Sequence, residues 1–129
     1  MRDRIFITRD DFERLDRMVT ARRGTATGVD GEYLERLEQE LDRAEILEGR
    51  ARPQGVVTMN ARVRVRDLDT GEVRMYRLVY PGQSREAQDV SILAPIGTAM
   101  LGYRVGDRVE WPVPKGVRRL EIVQVLSGG

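Results

Sequence analysis

From residue 12 onward the apolar positions fall at helical spacing: Phe12, Leu15 and Val19 stand at i, i+3 and i+7, with Met18 widening the stripe. Asp10 and Asp11 suit the positive end of a helix dipole, and Arg22 and Arg23 suit its negative end, so a helix over 11–21 is predicted. The Gly- and Thr-rich stretch 24–31 turns the chain. A second stripe, Leu34, Leu37, Leu41 and Ala44, predicts a helix over 31–47, with Asp30 capping its start and Glu32 complementing its dipole. Two narrow stripes joined by a short loop make an antiparallel hairpin of coiled-coil type, whose longer arm would project about 25 Å. The alternative is that both helices simply pack on the main body. The narrow stripe and highly charged flanks favour the hairpin.

Ahead of the first helix, Ile5-Phe6-Ile7 is expected to add a strand to the sheet of the second half. The stretch 48–55, with Gly49, Pro53 and Gly55, reads as a linker and divides a segment 1–52 from a domain 53–129. Beyond it the period changes to two. Ala61, Val63 and Val65 alternate with Arg62, Arg64 and Arg66, the pattern of a strand with one dry and one wet face. Asp69-Thr70-Gly71 is a turn signal, and 73–80 returns as the second strand of a hairpin. After a loop carrying Arg85, Glu86 and Asp89 comes a brief strand over 90–93. Pro95 can open a short helix, with Ile96, Ala99, Met100 and Leu101 on its apolar side and Gly102 as the left-handed residue that ends it. Val105-Gly106-Asp107 turns into a strand over 109–111, which Pro112 and Pro114 end or confine to an edge. Lys115-Gly116 turns the chain again, and 119–126 is the last strand. The fold class is therefore α+β: a short helical hairpin followed by an antiparallel sheet with one short helix.

Composition narrows the chemistry. A chain of 129 residues makes one domain, or a small domain with an appendage. Its 22 basic and 21 acidic residues leave a net charge of +1, so no global field would hold it on nucleic acid or a membrane surface. There is no cysteine and no histidine, which excludes disulfides, thiolate nucleophiles, the usual zinc sites, Ser-His-Asp triads and phosphohistidine chemistry. Lys115 is the single lysine, and Pro114-Lys115-Gly116 cannot form a nucleotide-binding phosphate loop. We therefore expect no enzyme activity, no catalytic residue, no cofactor and no bound metal. No stretch approaches the roughly 18 apolar residues of a membrane span, and Met1-Arg2-Asp3-Arg4 lacks the apolar run of a signal peptide, so a cytoplasmic protein is expected.

Two clusters could still bind something. Arg62, Arg64 and Arg66 form a basic ridge, with Arg74 beside it if the hairpin pairs in the simplest register. Such a ridge binds phosphate or an acidic protein surface, or is a solvated face neutralised by Glu72 and Asp67. No phenylalanine or tryptophan stands near it, which argues against single-stranded nucleic acid, and Trp111 reads as a core or edge plug. Asp30 and Glu32 could approach a metal if displayed at a hairpin tip, where capping and dipole compensation are the plainer roles.

Longer motifs point to a family. Val56-Val57-Thr58-Met59-Asn60-Ala61-Arg62-Val63, Thr70-Gly71-Glu72-Val73 and Leu78-Val79-Tyr80-Pro81 resemble the bacterial regulators of nucleoside diphosphate kinase. The run from Ser91 through Ala94-Pro95-Ile96-Gly97 to Leu101-Gly102, followed by Val105-Gly106-Asp107 and Trp111-Pro112, also resembles the C-terminal domain of Gre-type transcript cleavage factors. The resemblance covers 56–126, with looser support from Ile5-Phe6-Ile7 and Glu40-Leu41-Asp42-Arg43-Ala44.

The resemblance implies an FKBP-like domain carrying a short coiled-coil hairpin, which binds bacterial RNA polymerase near its secondary channel. Ala94, Pro95, Ile96 and Gly97 would be the contact segment, although Gly97 and Gly102 also serve close packing and helix termination. Gre factors insert a longer hairpin whose acidic tip holds a catalytic magnesium ion. Here the turn is Arg22-Arg23-Gly24-Thr25, and the short arm should fall short of the polymerase's metal, so competition for the channel entrance fits better than cleavage. Cleavage stimulation through Asp30 and Glu32 is the alternative, and prolyl isomerisation is suggested by fold analogy alone. Nucleoside diphosphate kinase works through a histidine that this chain lacks, so any regulation acts on gene expression or on that enzyme from outside. The expected partner is RNA polymerase, engaged by a monomer that makes no membrane contact and no direct sequence-specific contact with nucleic acid.

Overall fold

Thr8 both ends a short strand, β1 (Phe6–Thr8), and caps the first helix, its hydroxyl accepting the Asp11 N–H at 3.2 Å. The computed structural model describes residues 5–24, 28–48, 55–113 and 116–126. The expected boundary at 52/53 and Pro114-Lys115 lie outside the described residues, as do the side chains of Asp30 and Trp111. Helix α1 (Arg9–Arg22) buries Leu15 and Val19, and the Arg23 N–H closes it by donating to the carbonyls of Val19 and Thr20. Helix α2 (Gly28–Arg43) buries Leu34, Leu37 and Leu41.

Both apolar stripes are helical where their spacing puts them, except Ala44, which lies just past the end of the second helix, and both boundaries of that helix move. Because α2 starts at Gly28, Asp30 lies inside its first turn and is not the cap. The helix stops at Arg43, and residues expected to extend it form β2 (Glu45–Leu47) instead. A partner strand explains the change: Glu45 N–H donates to the Ile5 carbonyl at 2.9 Å, and β1 and β2 pair in parallel, Phe6 opposite Glu45 and Thr8 opposite Leu47. These backbone groups are satisfied by the ladder, so another helical turn is not needed to satisfy them. Ile5-Phe6-Ile7 therefore belongs to this two-stranded sheet and does not extend the main one, contrary to the expectation above. With β1 leading into α1 and β2 following α2, the start of one helix lies beside the end of the other, and the pair is antiparallel.

The main sheet comprises β3 (Arg62–Asp67), β4 (Val73–Val79), β5 (Asp89–Ser91), β6 (Arg108–Val113) and β7 (Gly116–Leu126), in the order β5-β4-β3-β7-β6. Pairing is antiparallel except between β4 and β5. Pro112 lies in β6, an edge strand, where proline is tolerated. Along β3, Val63 and Val65 are buried while Arg62, Arg64 and Arg66 are exposed, as the alternation predicts. A register shift leaves one extra residue in β7, Val123: Arg64 pairs with Gln124, whereas Val65 pairs with Ile122. The bulge keeps Ile122 and Val125 on the dry side and Gln124 on the wet one. Helix α3 (Pro95–Met100) covers the dry face and meets α2. The helical stripes and the inner face of the sheet form one continuous apolar core.

Gly102 joins the parts. Its carbonyl accepts the Phe6 N–H at 3.0 Å, and its N–H donates to Val57 O at 2.9 Å. It has a left-handed φ of +84°, and a Cβ here would meet Ile5 Cβ at 2.8 Å, so both conformation and space require glycine. Gly102→Ala should lower stability by about 2 kcal/mol or more. Gly82→Ala, also left-handed but with nothing within 4 Å, should cost only the backbone strain, about 1 kcal/mol. Urea denaturation of the two variants checks the difference.

Candidate functional site

The segment 94–97 forms a strand-to-helix turn held from several sides. Ala94 N–H donates to Ser91 O at 2.9 Å, Leu93 N–H to the Ser91 hydroxyl at 3.1 Å, and the Thr98 hydroxyl to Ile92 O at 2.6 Å. Pro95 occupies the first turn of α3, where a missing N–H costs nothing. Gly97 lies so close to β5 that an added Cβ would stand 2.3 Å from the Ser91 carbonyl oxygen. The sequence-predicted residues Ala94, Pro95, Ile96 and Gly97 are thus brought together on a rigid turn. Its outward side, Pro95 and Ile96, forms one wall of a cleft of about 280 Å³.

The floor of the cleft is Val65, Tyr76 and Leu120, and its rim carries two ion pairs: Asp67 with Arg118 at 2.5 Å and Glu72 with Arg74 at 3.2 Å. The Asp67 carboxylate also accepts the N–H groups of Asp69 and Thr70. Those backbone bonds, led by Asp69 and joined by Arg118, hold it below the usual carboxylate range against the opposing effect of burial. Sequence reasoning missed Asp67 as a lining residue, although it stands in phase with the buried Val63 and Val65. Arg118 and Leu120 come from β7, Arg118 standing 51 residues beyond Asp67, and leave no local signal.

The arginine ridge is real but its neighbours differ from expectation. Arg74 pairs in register with Val65 and so lies on the cleft side, while Arg77 stands opposite Arg62 on the ridge side. Glu72 and Asp67 do not neutralise the ridge, because each is committed to a cleft arginine. Arg66 is paired with Glu121 at 3.3 Å. Arg77 forks onto Asp89 through Nε at 2.8 Å and a terminal nitrogen at 2.6 Å. The Asp89 carboxylate also accepts from the backbone N–H groups of Arg85 and Glu86, and it is buried with its titration pushed far below the ordinary range, chiefly by Arg77.

At the far end of the helices, Arg22 closes α1 in an exposed position, and Arg23 is paired with Glu38 at 3.0 Å. Glu32 is exposed near the start of α2. Among the described residues no three Asp or Glu side chains gather as metal ligands would. At the other end of α1, Asp11 accepts the Met59 N–H at 3.0 Å. The Arg14 guanidinium lies 5.6 Å from the Tyr80 ring centre, and burial, aided by Asp11, pushes the Tyr80 hydroxyl up to about 12. No helix among the described residues is long and apolar enough to cross a membrane.

Comparison with known proteins identifies this arrangement. The model for the C-terminal domain of the transcription elongation factors GreA/GreB matches residues 52–127, and that for the Rnk N-terminus matches 3–47. The chain therefore belongs to the GreA/GreB C-terminal family, in the branch that carries an Rnk N-terminus. It is 45% identical to the regulator of nucleoside diphosphate kinase of Escherichia coli K12 over 91 residues, 69% of this chain and 67% of that one. It is 38% identical to GreA of Thermotoga neapolitana over 98 residues, a match that spans 75% of this chain and only 62% of that factor. A solved GreA/GreB elongation factor from Nitrosomonas europaea, 39% identical, superposes with a TM-score of 0.76 over 96% of this chain and all of that one. Gfh1 of Thermus thermophilus, 22% identical with a TM-score of 0.51 over 97% of this chain and all of that one, shares the fold.

The Asp89 cage sets a pH dependence. Because the folded state holds this carboxylate below its unfolded value, the stabilisation is fully present above that value and drains away as pH falls below about 4. Asp89→Asn should lower the urea midpoint at neutral pH and reduce the further drop between neutral and acid conditions, as parallel titrations of both proteins would show.

Proposed function

We propose that this protein is a non-enzymatic bacterial transcription regulator that binds RNA polymerase near the secondary channel and competes there with Gre-type factors. Its link to nucleoside diphosphate kinase then runs through gene expression or through contact with that enzyme from outside. One observation carries the reading: Pro95 and Ile96 form an apolar wall on a turn that Gly97 and Thr98 lock, so a protein contact there needs little reorganisation. The second half acts as an FKBP-like dock, and α1 with α2 acts as a short coiled-coil hairpin.

The hairpin's dimensions favour blocking over catalysis. The 16 residues of α2 measure about 24 Å, and arginines 22 and 23 flank the turn where a metal-delivering tip would need carboxylates. Asp30 and Glu32 are the only acidic candidates close to that turn in sequence.

Equilibrium binding to purified bacterial core RNA polymerase tests this. The labelled protein should bind saturably, be displaced by an unlabelled Gre factor and leave backtracked complexes uncleaved. Pro95→Ala/Ile96→Ser should weaken binding by about tenfold or more. Absence of binding at micromolar concentration overturns the reading, and unchanged affinity of the double variant removes the turn from the interface. Stimulated cleavage that disappears in Asp30→Asn/Glu32→Gln would replace blocking with transcript cleavage.

A further inference from the structure

The face of the main sheet opposite the cleft has no assigned role, and its composition is unusual. The register puts Arg62, Arg64 and Arg66 of β3 on this face, flanked by Met75 and Val73 of β4 and by Gln124 and Leu126 of β7. Farther along β7, Val117 lies on it as well. Helix α3 meets β5, β6 and α2, and α1 meets α2 and the small sheet, so among the described elements no helix packs on this face. Four large hydrophobic side chains stand out as exposed among the described residues. Three of them, Val73 at 51%, Val117 at 53% and Leu126 at 42%, share this one face.

Its charges are unequal in availability. Arg66 is held by Glu121, Arg77 by Asp89 and Arg119 by Asp69. Arg62 and Arg64 are exposed and carry no ion pair among the described residues. As alternate residues of one strand their side chains emerge about 7 Å apart, the same interval as facing side chains of any second extended chain. Leu126 stands across from Arg62, and Met75 across from Arg64, so each free guanidinium has an apolar neighbour.

We propose that this face docks an extended acidic protein segment, with two carboxylates on alternate residues engaging Arg62 and Arg64 and an apolar side chain seated beside Leu126 or Met75. Free arginine interleaved with exposed apolar side chains is the composition of a protein interface. A phosphate backbone would leave those apolar groups unmatched, and no phenylalanine or tryptophan stands among the described side chains of this face for bases to stack on.

The test uses the full chain and a short labelled peptide carrying glutamates and leucines on one side and serines on the other, read by fluorescence anisotropy. Saturable binding that weakens with added salt is expected, with Arg62→Ser/Arg64→Ser reducing affinity by about tenfold. Arg62→Lys/Arg64→Lys should retain most of it, and the charge-matched control Arg14→Ser/Arg17→Ser on α1 should retain all of it. The proposal is overturned by absence of binding, by equal loss in the α1 control, or by equal binding of a peptide with glutamine in place of glutamate. Tighter, ridge-dependent binding of duplex DNA would assign the face to nucleic acid instead. Self-association that the Arg62/Arg64 serine variant abolishes would assign it to a second copy of the chain.

Discussion

The close crossing of two backbone segments at Gly102 is the constraint from which the rest of the architecture follows. Phe6, Val57 and Tyr103 all meet there through backbone hydrogen bonds, Tyr103 accepting the Val57 N–H at 2.8 Å and Gly102 linking Val57 to Phe6. The segment around Ile5 can come this near only because residue 102 has no side chain. Once Ile5 is seated, its carbonyl accepts from Glu45, β1 and β2 align, and the ends of both helices are fixed beside the sheet. A single small residue after α3 therefore decides how the N-terminal half is attached. The attachment is reinforced by Asp11, which reaches Met59, and by Arg43, which donates to the Tyr103 hydroxyl at 3.1 Å.

The same sheet serves two physically different surfaces, and the bulge at Val123 keeps them apart. Without the extra residue, the end of β7 would present Gln124 to the core and Val125 to water, since a shift of one inverts every side chain beyond it. With it, Val63, Ile122 and Val125 stay on the dry face, and the arginines with Gln124 stay on the wet face. The dry face opens at its edge into the cleft beside Pro95 and Ile96. Local sequence thus acts on function through register.

Periodicity revealed most of this plan, because the features that set each element are local. The stripes through Leu15 and Leu37, the alternation around Val63 and the turn at Gly71 are each decided within a few residues. The departures from that plan lie in pairings that no local pattern contains. The spacing of Leu41 and Ala44 is compatible with one more helical turn, and only the distant Ile5 carbonyl converts Glu45–Leu47 into a strand. Arg74 lies on the cleft side because an even number of residues separates the paired Asp67 and Glu72, whose link is the Asp67 N–H on Glu72 O at 2.8 Å, and this sets Arg74 opposite Val65 rather than opposite an arginine. The Pro95-Ile96 wall was legible as a motif. The cleft it lines was not, since its other side depends on Arg118 and Leu120 arriving from β7.

The two faces also differ in how their charges are spent. At the cleft, Asp67 with Arg118 and Glu72 with Arg74 are self-paired, so the rim is close to neutral and a contact made there would rest on shape and apolar area. The Glu72–Arg74 pair is solvent-exposed and adds little to stability, whereas the Asp67 carboxylate is buried, and both pairs keep the rim polar around an apolar floor. Across the sheet, Arg62 and Arg64 carry no ion pair among the described residues, and attraction to an acidic group there would be direct and screened by salt. An apolar contact and a charge contact respond differently to ionic strength, so one five-stranded sheet can offer partners two contacts whose strengths vary independently. With a net charge of only +1, the difference between the two faces lies in which described arginines are left without an ion pair rather than in how many the chain carries.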